Sequence, residues 1–213
     1  MTGQDVWTSI AALRAELIDQ LVELPAERWD EPSLCPGWRI RDVVAHMILP
    51  ERFSPLGGLL GMARAGFSLR RLLHTDAIRR GSVPLEDLVA SFREAVNRRV
   101  PPPGRTPQHL LDDLYVHARD IRRPLGLMAP EGSPSRSTAV LLGVATTVAT
   151  DSGLGVPARM AGLRLTATDI EWSHGDGAEV RGPAEALILA MTGRDVVHPE
   201  LAGPGVALLV ARH

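Results

Sequence analysis

The sequence predicts a mainly α-helical protein, with an all-helical body to about Asp151 and a small α/β appendage after it. Three observations lead there. Up to residue 151, apolar residues recur at steps of three and four. Proline and glycine clusters separate those segments at intervals suited to short connections. After Gly162 the helical period gives way to strand-like alternation, in LRLTATDIEW. The expected division is therefore a helical domain over 1–153 and a small α/β region over 154–213.

Val6, Ile10, Leu13, Leu17, Leu21 and Leu24 trace one face of a helix from about Gln4 to Glu23, stopped by Pro25. The stretch PAERWDEPSLCPGW that follows holds three prolines and a glycine, and reads as an ordered loop anchored by Trp29 and Trp38. A second helix starts near Arg39. Its apolar residues Ile40, Val43, Val44, Met47, Ile48 and Leu49 cover most of its circumference, which makes it central and leaves the direction of His46 open. Asp42, one turn earlier, is placed to orient the His46 imidazole.

An interrupted helix is expected between Pro55 and Gly81, with a basic cluster at Arg64, Arg70, Arg71, Arg79 and Arg80 that suits a solvated face. Gly57, Gly58 and Gly61 make no phosphate-cradling motif, because the strand context and the Lys-Ser/Thr ending are absent. Leu85, Leu88, Val89, Phe92 and Val96 mark the next helix. Thr106 then caps another, with Pro107 at its first position and Pro124 closing it. A largely apolar helix follows in STAVLLGVATTVAT. Beyond the strand at 163, SHGDG reads as a turn before Ala178–Arg181, Gly182-Pro183 opens a helix ended near Gly193, and GVALLVAR fits strand or helix.

Composition narrows the function. With 213 residues, 45% hydrophobic and 23% charged, the chain can bury a substantial core. A net charge of −2 gives no field for nucleic acid or a membrane surface. The single cysteine, Cys35, excludes an intrachain disulfide and a cysteine-rich zinc site. No apolar run reaches membrane-spanning length, and the N-terminus lacks a signal-peptide pattern, so a cytoplasmic protein is expected. A homodimer is compatible with the sequence, which does not determine the oligomeric state.

The chemistry concentrates in DLYVHARDIRRPLG, Asp113 to Gly126. Leu110, Leu114, His117 and Ile121 share a helix face, and Asp113 lies one turn before His117. A carboxylate and an imidazole are thus presented together towards the core, where a carboxylate needs compensation. Two readings stay open from the spacing: a satisfied core pair, or two ligands of a metal site that needs a third.

Ser33-Leu34-Cys35-Pro36-Gly37-Trp38, Arg41-Asp42-Val43-Val44-Ala45-His46 and His117-Ala118-Arg119-Asp120-Ile121-Arg122-Arg123-Pro124-Leu125-Gly126 together resemble the DinB-like superfamily, and within it the mycothiol-dependent maleylpyruvate isomerase type. Gly175-Asp176-Gly177, Arg181-Gly182-Pro183-Ala184-Glu185-Ala186 and Thr192-Gly193-Arg194 extend the resemblance through the tail. It implies a four-helix bundle carrying a divalent metal on His46, Asp113 and His117. Zinc suits such a set best, and nickel, iron and manganese are compatible. The carboxylate of this type is usually glutamate, so Asp113 is a departure with less reach.

The resemblance further implies mycothiol as cofactor and a small electrophilic substrate. A metal-bound thiolate would attack that substrate in an isomerisation or a thiol transfer. Arg122 and Arg123 are the candidates for holding carboxylates of cofactor or substrate. Cys35, beside Pro36-Gly37, reads as packing, and the sequence offers no argument for Asp120 or His174. The alternatives are a catalytically silent metal- or small-ligand-binding protein of the same fold, and a helical scaffold with merely buried histidines.

Overall fold

Each helix expected from the sequence has a helical counterpart among the described residues. In the computed structural model residues 2–48, 66–101 and 104–212 are described. Leu49, the glycines at 57, 58 and 61, Arg64 and the first part of the helix expected over 55–81 lie outside the described residues.

Helix α1 (Gly3–Val22) buries Val6, Ile10, Leu13, Leu17 and Leu21, the face its spacing defines. Then come α2 (Ile40–Met47), α3 (Leu69–Gly81), α4 (Leu85–Ala95) and α5 (Pro107–Leu125). Helix α1 packs on α5 and α4, while α2 packs on α5, α4 and α3. The four-helix bundle is α1, α2, α4 and α5, with α3 against α2. Each fully buried Leu or Ile in it contributes roughly 1.5–3 kcal/mol. At Gly81 a Cβ would lie 2.9 Å from the Asp42 Cα, so only glycine allows α3 to approach α2 this closely.

A cation is buried among these helices. The Arg14 guanidinium donates to the carbonyls of Ala95 (2.7 Å), Arg98 (3.4 Å) and Met47 (3.5 Å). Those carbonyls lie at the C-terminal ends of α4 and α2, where free acceptors and the negative end of the helix dipole favour a cation.

Helix α5 starts as expected, with Thr106 Oγ1 2.7 Å from His109 Nδ1 and Pro107 in the first turn. It does not end at Pro124. The helix continues to Leu125, and Gly126 (φ 69°) terminates it in the left-handed region that glycine adopts without strain. Pro124 is tolerated because it lacks only the N–H that would have bonded the Asp120 carbonyl. That carbonyl instead accepts from Leu34 N–H at 3.1 Å.

By their contacts, Gly3–Ser133 form one unit and Pro134–His213, with the first two residues, another. The boundary therefore precedes α6 (Thr138–Thr150), which the expected division at 153/154 leaves in the helical body. The physical reason is its partner. Val140, Val144 and Val148 form a buried stripe on α6, and α6 packs on α8 (Ala184–Met191). Between them in sequence lies the short α7 (Val156–Arg159).

Strands β1 (Leu163–Ala167), β2 (Ser173–His174) and β3 (Ala178–Gly182) form a sheet of order β2-β1-β3. Strand β1 is antiparallel to β2 and parallel to β3, with Leu165 opposite both His174 and Val180. Ser173 and His174, expected in a turn, thus belong to an edge strand. Asp169 Oδ1 accepts from Ala184 N–H at 2.8 Å and caps α8. The undecided tail forms α9 (Val206–Val210). Among the described residues no helix is long and apolar enough to cross a membrane.

Candidate metal centre

Two helices and one loop supply the site. Asp113 and His117 sit one turn apart on α5, and His46 lies in the last turn of α2, which packs against α5. The loop before α2 is held by Ser33 N–H to Trp38 O (3.0 Å), Trp38 N–H to Cys35 O (3.0 Å) and Ile40 N–H to Glu31 O (2.9 Å). Leu34 ties it to α5 through the Asp120 carbonyl. These bonds bring Cys35 and Trp38 to the two histidines.

One oxygen is shared. Asp113 Oδ1 lies 3.5 Å from His117 Nε2 and 3.8 Å from His46 Nε2. The two imidazoles meet edge to face, with centroids 4.9 Å apart at 82°. Such separations between N and O atoms suit ligands at about 2.0–2.2 Å from one ion, so the three side chains fit a divalent metal. Asp113, although shorter than glutamate, brings one carboxylate oxygen within 4 Å of both Nε2 atoms. The histidine side chains are each 12% exposed and the Asp113 side chain 40%, so access from solvent is on the carboxylate side.

Trp38 stands over the cluster, 5.1 Å from the His46 ring, 6.2 Å from His117 and stacked on His74 at 6.0 Å. Trp29 is buried as a loop anchor, whereas Trp38 forms an apolar wall of the site.

Electrostatics couple Asp113 to His117. Burial opposes the charge on each, and their mutual attraction outweighs it. The adjacent His117 charge, with the nearby His46 imidazole, holds the Asp113 carboxyl far below the usual range. For His117, Asp113 and hydrogen bonds involving Asp120 and Cys35 raise the imidazole well above its ordinary value.

On the other side of the ring, His117 Nδ1 lies 2.9 Å from Asp120 Oδ2, and the Cys35 thiol donates to the same oxygen at 3.1 Å. Cys35 Sγ and His117 Nδ1 are 3.5 Å apart. These three side chains form a second S/N/O grouping that shares His117. Asp120 escaped the sequence reading, although its position three residues after His117 puts it on the same face of the helix.

Two expectations fare differently. Asp42 does not orient His46. Its carboxylate accepts from the Arg39 backbone N–H (3.0 Å) and guanidinium (2.9 and 3.1 Å), closing the first turn of α2. His46 Nδ1 is buried without a hydrogen-bond partner among the described residues. Arg122 and Arg123 are not part of the cluster of ring and carboxylate contacts. Arg122 is 2% exposed, donates to Gln20 Oε1 at 2.8 Å and pairs with Glu16 at 3.8 Å. Nine residues from Asp113 is half a rotation of the helix, which turns Arg122 towards α1.

A model of the family described as mycothiol maleylpyruvate isomerase N-terminal domain matches residues 10–146. Two solved structures share the fold. One is the mycothiol-dependent maleylpyruvate isomerase, at 16% identity and a TM-score of 0.66, with 96% of this chain and 93% of that chain covered. The other is a histidine-to-alanine mutant of that isomerase, at 15% identity with the same TM-score and coverage. No curated protein matches.

Proposed function

The chain belongs to the mycothiol maleylpyruvate isomerase N-terminal domain family, and from that premise we propose that it is a metal-dependent enzyme of thiol chemistry. In an isomerisation the thiolate of mycothiol would add to a conjugated double bond and be expelled again after rotation; in a transfer it would displace a leaving group, which departs with the bonding electron pair as the thioether forms. The observation that carries this reading is the single oxygen of Asp113 facing the Nε2 atoms of both His46 and His117. His46, Asp113 and His117 would hold a divalent ion, zinc in the first instance, whose positive charge would lower the pKa of a thiol bound there.

The residues of this chain do the rest. His46 and His117 offer neutral imidazole nitrogens, and Asp113 offsets part of the ionic charge. Three protein ligands leave positions open for a thiol, as catalytic zinc sites do. Trp38 shields the histidines from water and raises the strength of charge interactions there. Exposure on the Asp113 side gives thiol and substrate their route in. Arg122 is engaged by Glu16 and Gln20, so its expected role in holding a carboxylate of cofactor or substrate is not carried further. A cytoplasmic location is part of the same reading.

The test is turnover by tag-free, metal-loaded protein with mycothiol and a panel of activated alkenes and alkyl electrophiles. Thiol-dependent turnover lost in Asp113→Ala supports the enzyme. Stoichiometric metal without turnover across the panel would leave a catalytically silent binder.

A further inference from the structure

We propose that Asp120 is a positioning residue: it holds His117 with its proton on Nδ1 and its Nε2 turned towards His46 and Asp113. The inference rests on the metal-centre reading above for its use, but the tautomer it assigns is a property of the metal-free chain.

Helix α5 places a carboxylate on each side of one imidazole. Asp113 is four residues before His117 and Asp120 three after, so both share its face. Each takes a different ring nitrogen. Nε2 faces Asp113 Oδ1 at 3.5 Å, and Nδ1 faces Asp120 Oδ2 at the shorter 2.9 Å. The two carboxylates differ in surroundings. Asp113 keeps contact with solvent, whereas Asp120 has none. A carboxylate without water must be satisfied by donors, and an ionised one accepts only. The Nδ1–H is therefore the form of His117 that Asp120 stabilises, and Nε2 keeps its lone pair for the ligand side.

The loop fixes Asp120 at both ends. Cys35 Sγ–H donates to Oδ2 at 3.1 Å, and Leu34 N–H donates to the Asp120 carbonyl at 3.1 Å, an acceptor freed by Pro124. Cys35 thereby has a use that requires no nucleophilic chemistry: it steadies the carboxylate that steadies the histidine. The competing account is that Cys35, His117 Nδ1 and Asp120 themselves hold a thiophilic ion, since their ligand atoms cluster.

Imidazole nitrogen NMR of metal-free protein separates the accounts, recorded above the pH at which His117 loses its charge. The wild type is expected to show pyrrole-type Nδ1 and pyridine-type Nε2 at His117. Asp120→Asn, folded by circular dichroism, should mix the tautomers and weaken zinc by about 10- to 100-fold in a chelator competition. Cys35→Ala should keep the Nδ1–H form and lose less than about tenfold, because Asp120 still accepts from His117.

A wild-type proton on Nε2 overturns the proposal, and that measurement needs no variant to fold. So does an Asp120→Asn protein matching the wild type in both readouts. So does a cadmium–thiolate charge-transfer band in the wild type that Cys35→Ala abolishes. If the wild type takes up no zinc, the metal-centre reading falls, and the tautomer comparison alone decides the role of Asp120.

Discussion

Leu34 donates its backbone N–H to the carbonyl of Asp120 at 3.1 Å, across 86 positions of chain, because Pro124 has no N–H to offer that carbonyl from within the helix. A proline in the last turn of α5 is thus what lets the Cys35–Trp38 loop dock beside His117.

Pro124→Ala should loosen that docking. The new N–H competes for the Asp120 carbonyl, and losing a net bond of about 1 kcal/mol speeds amide exchange at Leu34 roughly fivefold. Hydrogen–deuterium exchange at this amide reads it directly. Unchanged exchange would mean that the carbonyl serves both donors.

The buried Arg14 should matter more than any surface cation. Arg14→Met leaves the carbonyls of Ala95 and Met47 without their donor. A loss of about 3 kcal/mol is expected, at the upper end for hydrogen bonds to a charged group. Urea unfolding of the variant measures it, and a change under about 0.5 kcal/mol would place it with ordinary surface substitutions.

The pH dependence of the metal-free protein follows from the Asp113–His117 pair. His117 is raised, so its contribution is full below its unfolded value of about 6.5 and fades as pH rises through the folded value. Asp113 is lowered, so its contribution is full above its unfolded value of about 3.9 and fades as pH falls through the folded value. The pair therefore stabilises most between about pH 4 and 6.5. Chelated wild type should exceed Asp113→Asn in urea midpoint there, with the gap closing as pH rises through the His117 titration. Metal reverses the trend. A proton on His117 must leave before the ring ligates, so metal-conferred stability should grow from pH 6 to 8. A gap independent of pH in the chelated pair would contradict the coupling.

Much of this was legible before any coordinates. The local periods of α1, α4 and α5 carry their own evidence, because a helix face is defined by residues three and four apart. Asp113 and His117 were legible for the same reason. The direction of His46 was not, because α2 is apolar nearly all round and periodicity cannot orient it. Asp42 looked like a partner for His46 by spacing, yet a nearby Arg39 closed the first turn of the helix with it instead. Asp120 lies three residues after His117, a spacing the sequence does show, but its contact with Cys35 on a remote loop leaves no local signal. The placement of α6 depends on α8, and the assignment of Ser173–His174 depends on β1. Long-range partners of that kind leave no local period to read.

The central claim is the metal centre, and metal content tests it most directly. Protein purified without a histidine tag should hold about one divalent ion per chain, as expected for a three-ligand site with open positions. His46→Ala and His117→Ala, both folded, should hold little, and chelation should lower the melting temperature of the wild type alone. Wild-type protein that stays metal-free after reloading with zinc, nickel, iron and manganese, and melts unchanged with chelator, would contradict the account and leave a helical bundle with buried histidines.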